Sequence, residues 1–112
     1  MQINRVELEY NYCEVETNKK TTEAIDSVVA AAADTAGDAE HVSEDMLKLC
    51  TAVKQAFDHI FGDGTGEKVC GEMNDLVVCI DAISDLTKEI NVQKEKLNSA
   101  VERFNGLFSE EA

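Results

Sequence analysis

The chain contains no proline and no tryptophan, and its aromatic residues number six, four Phe and two Tyr. So few β-punctuating and stacking residues exclude an ordinary all-β sandwich and an aromatic platform for nucleic-acid bases. Apolar runs are short too: none reaches the ~18 residues that a membrane span requires. The opening MQINRVELEYNY has neither a basic n-region nor an apolar h-segment, so it gives no export signal. Cysteines number four, Cys13, Cys50, Cys70 and Cys79, with no CxxC pair among them. That spacing argues against a structural zinc site or a thioredoxin-like motif and suits buried thiols in a reducing cytoplasm. Cations are scarce, with 10 Lys and Arg against 23 Asp and Glu, and the net charge is −13. Residues 1–56 carry −6 of it and residues 57–112 carry −7. Direct binding to nucleic-acid phosphates or to anionic membranes is therefore unfavourable.

What is present is a 112-residue chain that is 44% hydrophobic, enough for one folded domain and too apolar for an acidic disordered tail. The expected fold class is mainly α: a small helical domain over 1–112 with an N-terminal β-hairpin and a long C-terminal helix. Val6, Leu8, Tyr10 and Tyr12 share one parity, which predicts a strand, and Asn4-Arg5 predicts the turn of a hairpin within residues 1–12. A lone hairpin is marginal in water, so it must dock on the helices or on another chain. Thr17 is placed to cap a helix over 18–36, with Ile25, Val28, Val29, Ala32 and Ala36 as its apolar stripe and Gly37 as its stop. Residues 34–45 hold five carboxylates and no Lys or Arg, which predicts an exposed, mobile connector.

Ser43 is placed to cap a second helix over 44–61, with Val42 and Leu47 positioned for a hydrophobic staple. Its apolar face is Met46, Leu49, Cys50, Val53, Phe57, Ile60 and Phe61. FGDGTG follows as a turn, and Thr65 opens one further helical turn that ends at Gly71. Asn74 is placed to cap the last helix, over 75–104. Leu76, Ile83, Ile90, Leu97 and Phe104 recur every seven residues, with Ile80, Thr87, Lys94, Val101 and Phe108 as a companion row four residues on. Thr87 and Lys94 damage that second row. At ~1.5 Å per residue the helix is about 46 Å long, whereas a compact sphere of this chain is about 34 Å across. The helix must kink, overhang or pair outside the fold; Leu97, Val101, Phe104 and Phe108 are buried if it folds back onto the hairpin, and are otherwise the candidate surface for self-association or a partner.

Catalytic and ligand motifs are weak by comparison. GDGTGEK lacks the Gly-Lys pair and the preceding strand of a phosphate-binding loop. His59, with Asp63 or with Cys70 and Cys79, is the only candidate metal grouping, and a hydrogen-bonded surface histidine is the simpler reading. Asp81, Asp85 and Glu89 follow i, i+4, i+8 spacing and read as a solvated face. No catalytic residue, metal or cofactor is assigned.

Three segments in this order carry a resemblance: INRV at residues 3–6, FDHIFGDGTGEKVCG at 57–71, and NDLVVCIDAISDL opening the last helix. The sequence resembles small helical tail assembly chaperone-like proteins of Gram-positive siphophages and prophages, chiefly through FGxGTxxKVxG from Phe61 to Gly71. FNGLFSEEA at 104–112 has no counterpart in that pattern. The resemblance implies a non-catalytic, oligomeric protein of the bacterial host cytoplasm, which coats a tape measure protein and promotes assembly of tail tube protein around it. Phe61, Gly62, Gly64, Thr65, Lys68 and Gly71 are then a structural loop that sets the angle between helices, with Lys68 expected to hold an acidic neighbour. The alternative from another class is an acidic DNA-mimicking decoy that occupies a nucleic-acid-binding protein.

Overall fold

The structure, a computed structural model, describes residues 1–109. Its order is β1 (Gln2–Ile3), β2 (Val6–Glu7), α1 (Val15–Ala33), a 3-10 turn (Ala39–His41), α2 (Val42–Phe61), α3 (Thr65–Cys70) and α4 (Leu76–Leu107). The expected class holds: a mainly helical domain with an N-terminal hairpin and a long C-terminal helix.

The hairpin is antiparallel, with Gln2 opposite Glu7 and Ile3 opposite Val6. Asn4 and Arg5 both have positive φ, 47° and 70°, the twist that matches a two-residue hairpin turn to its strands. Asn4 also docks the hairpin on its own helices. Its Nδ2 donates to the carbonyls of Val69 (2.9 Å) and Val78 (3.1 Å), and its N–H donates to Asp85 (3.1 Å). Ile3 is fully buried as a result. The strand predicted through Tyr12 stops at Glu7, because β1 is only two residues long: Leu8 N–H still bonds the Met1 carbonyl (2.8 Å), and beyond it the partners are side chains, not a strand. Parity nonetheless gives the packing side, since Val6, Leu8, Tyr10 and Tyr12 all lie against the core.

Helix α1 begins three residues before its predicted start. Glu14, not Thr17, is the cap, accepting from the N–H groups of Glu16 (3.0 Å) and Thr17 (2.9 Å). Those bonds also hold the Glu14 carboxyl below its usual range. The helix ends at Ala33 rather than at Gly37, and its inward face is rotated from the predicted stripe. Thr21 and Ala24 are buried and Ile25 and Val28 half-buried, while Val29, Ala32 and Ala36 are exposed.

The acidic connector is tied down rather than loose. Asp45 accepts from Ala36 N–H (2.9 Å) and Gly37 N–H (3.0 Å), and Lys48 Nζ reaches the carbonyl and carboxylate of Asp34 (2.9 and 3.0 Å). Helix α2 starts at Val42, so Ser43 lies inside it and makes no cap bond. Val42 and Leu47 stand half exposed instead of closing a staple, and Met46 is exposed as well. From Cys50 onward the predicted face holds: Cys50, Val53, Phe57 and Ile60 are buried, joined by Ala56.

Gly64 is the N-cap of α3 at φ 91°, a left-handed conformation that favours glycine. Gly66 serves closeness instead. A Cβ there would lie 2.3 Å from the Lys54 carbonyl oxygen, so the backbones of α3 and α2 touch. Gly66 N–H also donates to Asp58 (2.7 Å). Lys68 makes no ion pair among the described residues; Lys54 is the clamp. Its Nζ donates to the Met73 carbonyl (3.1 Å) and Asn74 Oδ1 (3.0 Å), closing the passage from α3 to α4.

Helix α4 is capped by Asp75 rather than Asn74, through Val77 and Val78 N–H. Its buried residues are Cys79, Ala82, Leu86, Ile90 and Gln93. The companion row therefore lies three residues after Leu76, at 79, 86 and 93, not four. Thr87 and Lys94 never interrupted a seam; they face outward. The sequence misleads here because Ile80, Val101 and Phe108 are more apolar than Cys79, Gln93 and Ala100. The helix does not fit inside the body: the molecule measures 63 × 29 × 19 Å and its radius of gyration is 17.1 Å, against about 13 Å for a compact chain of this length. It overhangs.

Two outcomes follow in chemical denaturation. Gly66→Ala forces a methyl into the Lys54 backbone and lowers stability by about 2 kcal/mol or more. Gly106→Ala meets nothing within 4 Å and raises it by up to about 1 kcal/mol through helix propensity. Equal effects at both sites would remove the close contact of α3 with α2. Asp45 is held below the ordinary 3.8 by the Gly37 and Ala36 N–H groups. Its folded pKa is depressed, so its stabilisation is complete above the unfolded value and is lost as pH falls through the folded one. Carboxyl NMR titration should give an Asp45 midpoint below 3.8; a midpoint at or above it would remove the bonds from Ala36 and Gly37.

Candidate interaction surface

The core ends on α4 at Gln93, and the way it ends shapes everything beyond. Gln93 is buried, so its amide must be satisfied within the protein. Its Oε1 accepts from Tyr12 N–H (2.6 Å), and its Nε2 donates to the Tyr10 carbonyl (3.1 Å) and to Glu89 (2.7 Å). One side chain thus binds the strap of residues 8–14, which turns at Tyr12–Cys13, through two of its backbone groups. Asn18 Nδ2 holds the same strap from α1 by donating to the Tyr12 carbonyl (3.0 Å). Tyr10 completes the closure, with its hydroxyl 2.9 Å from Thr21 Oγ1 and its ring 5.7 Å from Phe61. Burial raises the Tyr10 pKa. Asp85 and Glu89 are therefore anchors for hairpin and strap; the expectation of a solvated carboxylate face fails for both.

Beyond Gln93 the body falls away from α4. Leu97 is half-buried on its edge. Val101 is 48% exposed, Phe104 60%, Leu107 76% and Phe108 69%. Phe104 and Phe108 lean on each other with ring centroids 5.0 Å apart. Leu97, Val101 and Phe104 thus lie on the one continuous helix and Phe108 is its C-cap, with all but Leu97 at the projecting end. Leu107 was missed because it falls on neither seven-residue row; α4 also runs three residues past the expected end at 104. An apolar row exposed to this degree on an acidic chain is the kind of patch that marks an interaction site.

The predicted loop residues play a different part. Phe61 closes α2 and stacks on Phe57 with centroids 6.0 Å apart. Gly62 and Gly71 end α2 and α3. Thr65 opens α3 as expected. Together with Gly64 and Gly66 they set α3 against α2, well away from the projecting end of α4.

The other candidates are also placed. His59 Nε2 pairs with Glu23 of α1 (3.0 Å), not with Asp63 or a cysteine, and this contact lowers the Glu23 pKa. Cys50, Cys70 and Cys79 lie against one another in the core. Burial pushes the Cys50 thiol up to about 11 and raises Cys70 and Cys79, which keeps them protonated and poorly nucleophilic at neutral pH. Among the described residues no group of three or more His, Cys, Asp or Glu side chains is placed to hold a metal ion. Among them, too, no helix is long and apolar enough to cross a membrane.

The chain belongs to a protein family of unknown function, DUF6673, whose model matches residues 4–110. No curated protein and no solved structure matches it. The match runs from the hairpin turn through the body and the projecting helix.

Gln93→Ala should leave Tyr12 N–H and the Tyr10 carbonyl without partners and cost about 1–3 kcal/mol. Hydrogen exchange is the sharper check: the Tyr12 amide should lose its protection while amides of α2 keep theirs. Unchanged Tyr12 protection would show that Gln93 does not hold the strap.

Proposed function

We propose that this protein is a non-catalytic tail assembly chaperone of a phage or prophage, acting in the cytoplasm of the bacterial host. The observation that carries the reading is the apolar row Val101, Phe104, Leu107 and Phe108, presented on a helix that leaves the body. Such a helix offers a client helix an apolar flank to pack along, as in other helix-to-helix recognition. Its root at Gln93 and Leu97 belongs to the folded body, so the flank is held in place before the client arrives, which lowers the ordering cost of binding.

The rest of the molecule supplies solubility. A net charge of −13 keeps copies bound along one client from collapsing together. The resemblance through Phe61–Gly71 names the client: a tape measure protein, long and helical, whose apolar faces need cover until tail tube protein assembles around it.

Co-expression tests this directly. The wild-type protein should keep the tape measure protein of its own gene cluster in the soluble fraction and co-purify with it. Burial of one Val or Phe is worth about 1.5–3 kcal/mol, so Val101→Asp with Phe104→Asp should weaken that association at least about tenfold while leaving the helical circular dichroism unchanged. A folded double variant that retains the client as well as wild type would refute the surface. Failure of the wild type to retain it would refute the function.

A further inference from the structure

Charge is divided evenly between the two halves of the sequence, but not between the two parts of the structure. Residues 1–93, the body, hold nineteen carboxylates against seven Lys and Arg. Residues 94–112 hold four against three, Lys94, Lys96 and Arg103. The body therefore carries −12, whereas the described residues 94–109 hold Glu95 and Glu102 against those three cations and carry +1. The one nearly neutral part of the molecule is the part with the exposed apolar row.

We propose that two copies of this chain pair through the projecting ends of α4, antiparallel, with the acidic bodies at opposite ends of the dimer. The charge distribution selects both the partner surface and the direction. Contact between bodies opposes −12 with −12, and a parallel pairing of helix ends would set the two bodies side by side. The antiparallel arrangement joins the neutral ends and separates the bodies by more than the ~8–10 Å over which charge acts at physiological salt. It also opposes the two helix dipoles.

A two-fold axis between Glu102 and Arg103 sets Val101 opposite Phe104 of the second copy, and Leu97 opposite its Phe108. At the observed exposures the row offers on the order of 400–500 Å² of apolar side chain per copy. The pair buries about 900 Å², just under what a stable complex uses. The dimer is accordingly weak and reversible: it covers the apolar row between clients and gives way to one. The inference shares the α4 row with the function proposed above and adds a second copy as its occupant.

Sedimentation equilibrium and small-angle scattering of the full chain test it. Expected is a monomer–dimer equilibrium whose dissociation constant lies in the micromolar range and changes by less than about threefold between 50 and 500 mM NaCl, because the contact is apolar and the bodies stand beyond the range of their charges. The dimer should have a maximum dimension of about 110 Å, two 63 Å molecules overlapping by about 17 Å of helix. Val101→Asp with Phe104→Asp should be monomeric with unchanged helix content; Val101→Ala, which keeps the helix and adds no charge, should dimerise more weakly than wild type. The pairing is wrong if the protein stays monomeric at 0.5 mM, if salt shifts the dissociation constant further than that, if the dimer is no longer than about 75 Å, or if the folded Asp variant dimerises like wild type. A monomer that still retains the tape measure protein removes the pairing alone and leaves the proposed function standing.

Discussion

The inner face of α2 is the contact on which the other elements depend. Cys50, Val53, Ala56, Phe57 and Ile60 lie along one side of that helix, and α1, α3 and α4 all pack against it. Because a small chain buries only about two-thirds of its unfolded surface, it has one such face to organise around. The approach of α3 shows how tightly it is used. At Gly66 there is no room for a side chain against the Lys54 carbonyl, and Lys54 reaches on to hold the segment that leads into α4. The direction of α4 is thus set through α3.

That direction creates the second constraint, a helix too long for its body. Once Ile90 and Gln93 are buried, α2 and the strap offer nothing more for α4 to pack on. Gln93 closes the core with hydrogen bonds instead of apolar contact: it binds the backbone of residues 10 and 12. A polar residue suits this boundary. An apolar side chain there would leave the strap without backbone partners, and the loss of such partners costs more than the bonds return.

Acidic body and apolar end divide the tasks of one molecule. Under the proposed pairing, repulsion between bodies keeps copies apart and association falls to the helix end, where charge nearly cancels. A family model that matches residues 4–110 covers this division in full.

Periodicity in the sequence marked out the hairpin turn at Asn4-Arg5, the buried side of α2 from Cys50 to Ile60, the break at Gly62, the short helix from Thr65 and the excess length of the last helix. Each follows from local chemistry: positive φ at a turn, spacing of apolar residues, and the rise of a helix. The candidate surface at Val101, Phe104 and Phe108 was legible for the same reason, since length alone places it beyond any compact core. Less legible was everything that depends on which neighbour arrives. Glu14 caps α1 because its carboxylate folds back on two N–H groups, although shorter side chains are the usual caps. Asp85 and Glu89 looked like a solvated face until Asn4 and Gln93 came to meet them across 81 residues and one helical turn. Both heptad offsets were open on α4, and apolar strength favoured the wrong one. Sequence determined that this would be an acidic helical domain with a helix longer than its core, because composition and spacing act within one element. Tertiary structure alone decided which side of that helix is buried and where its charge stops, because those depend on contacts between residues far apart in the chain.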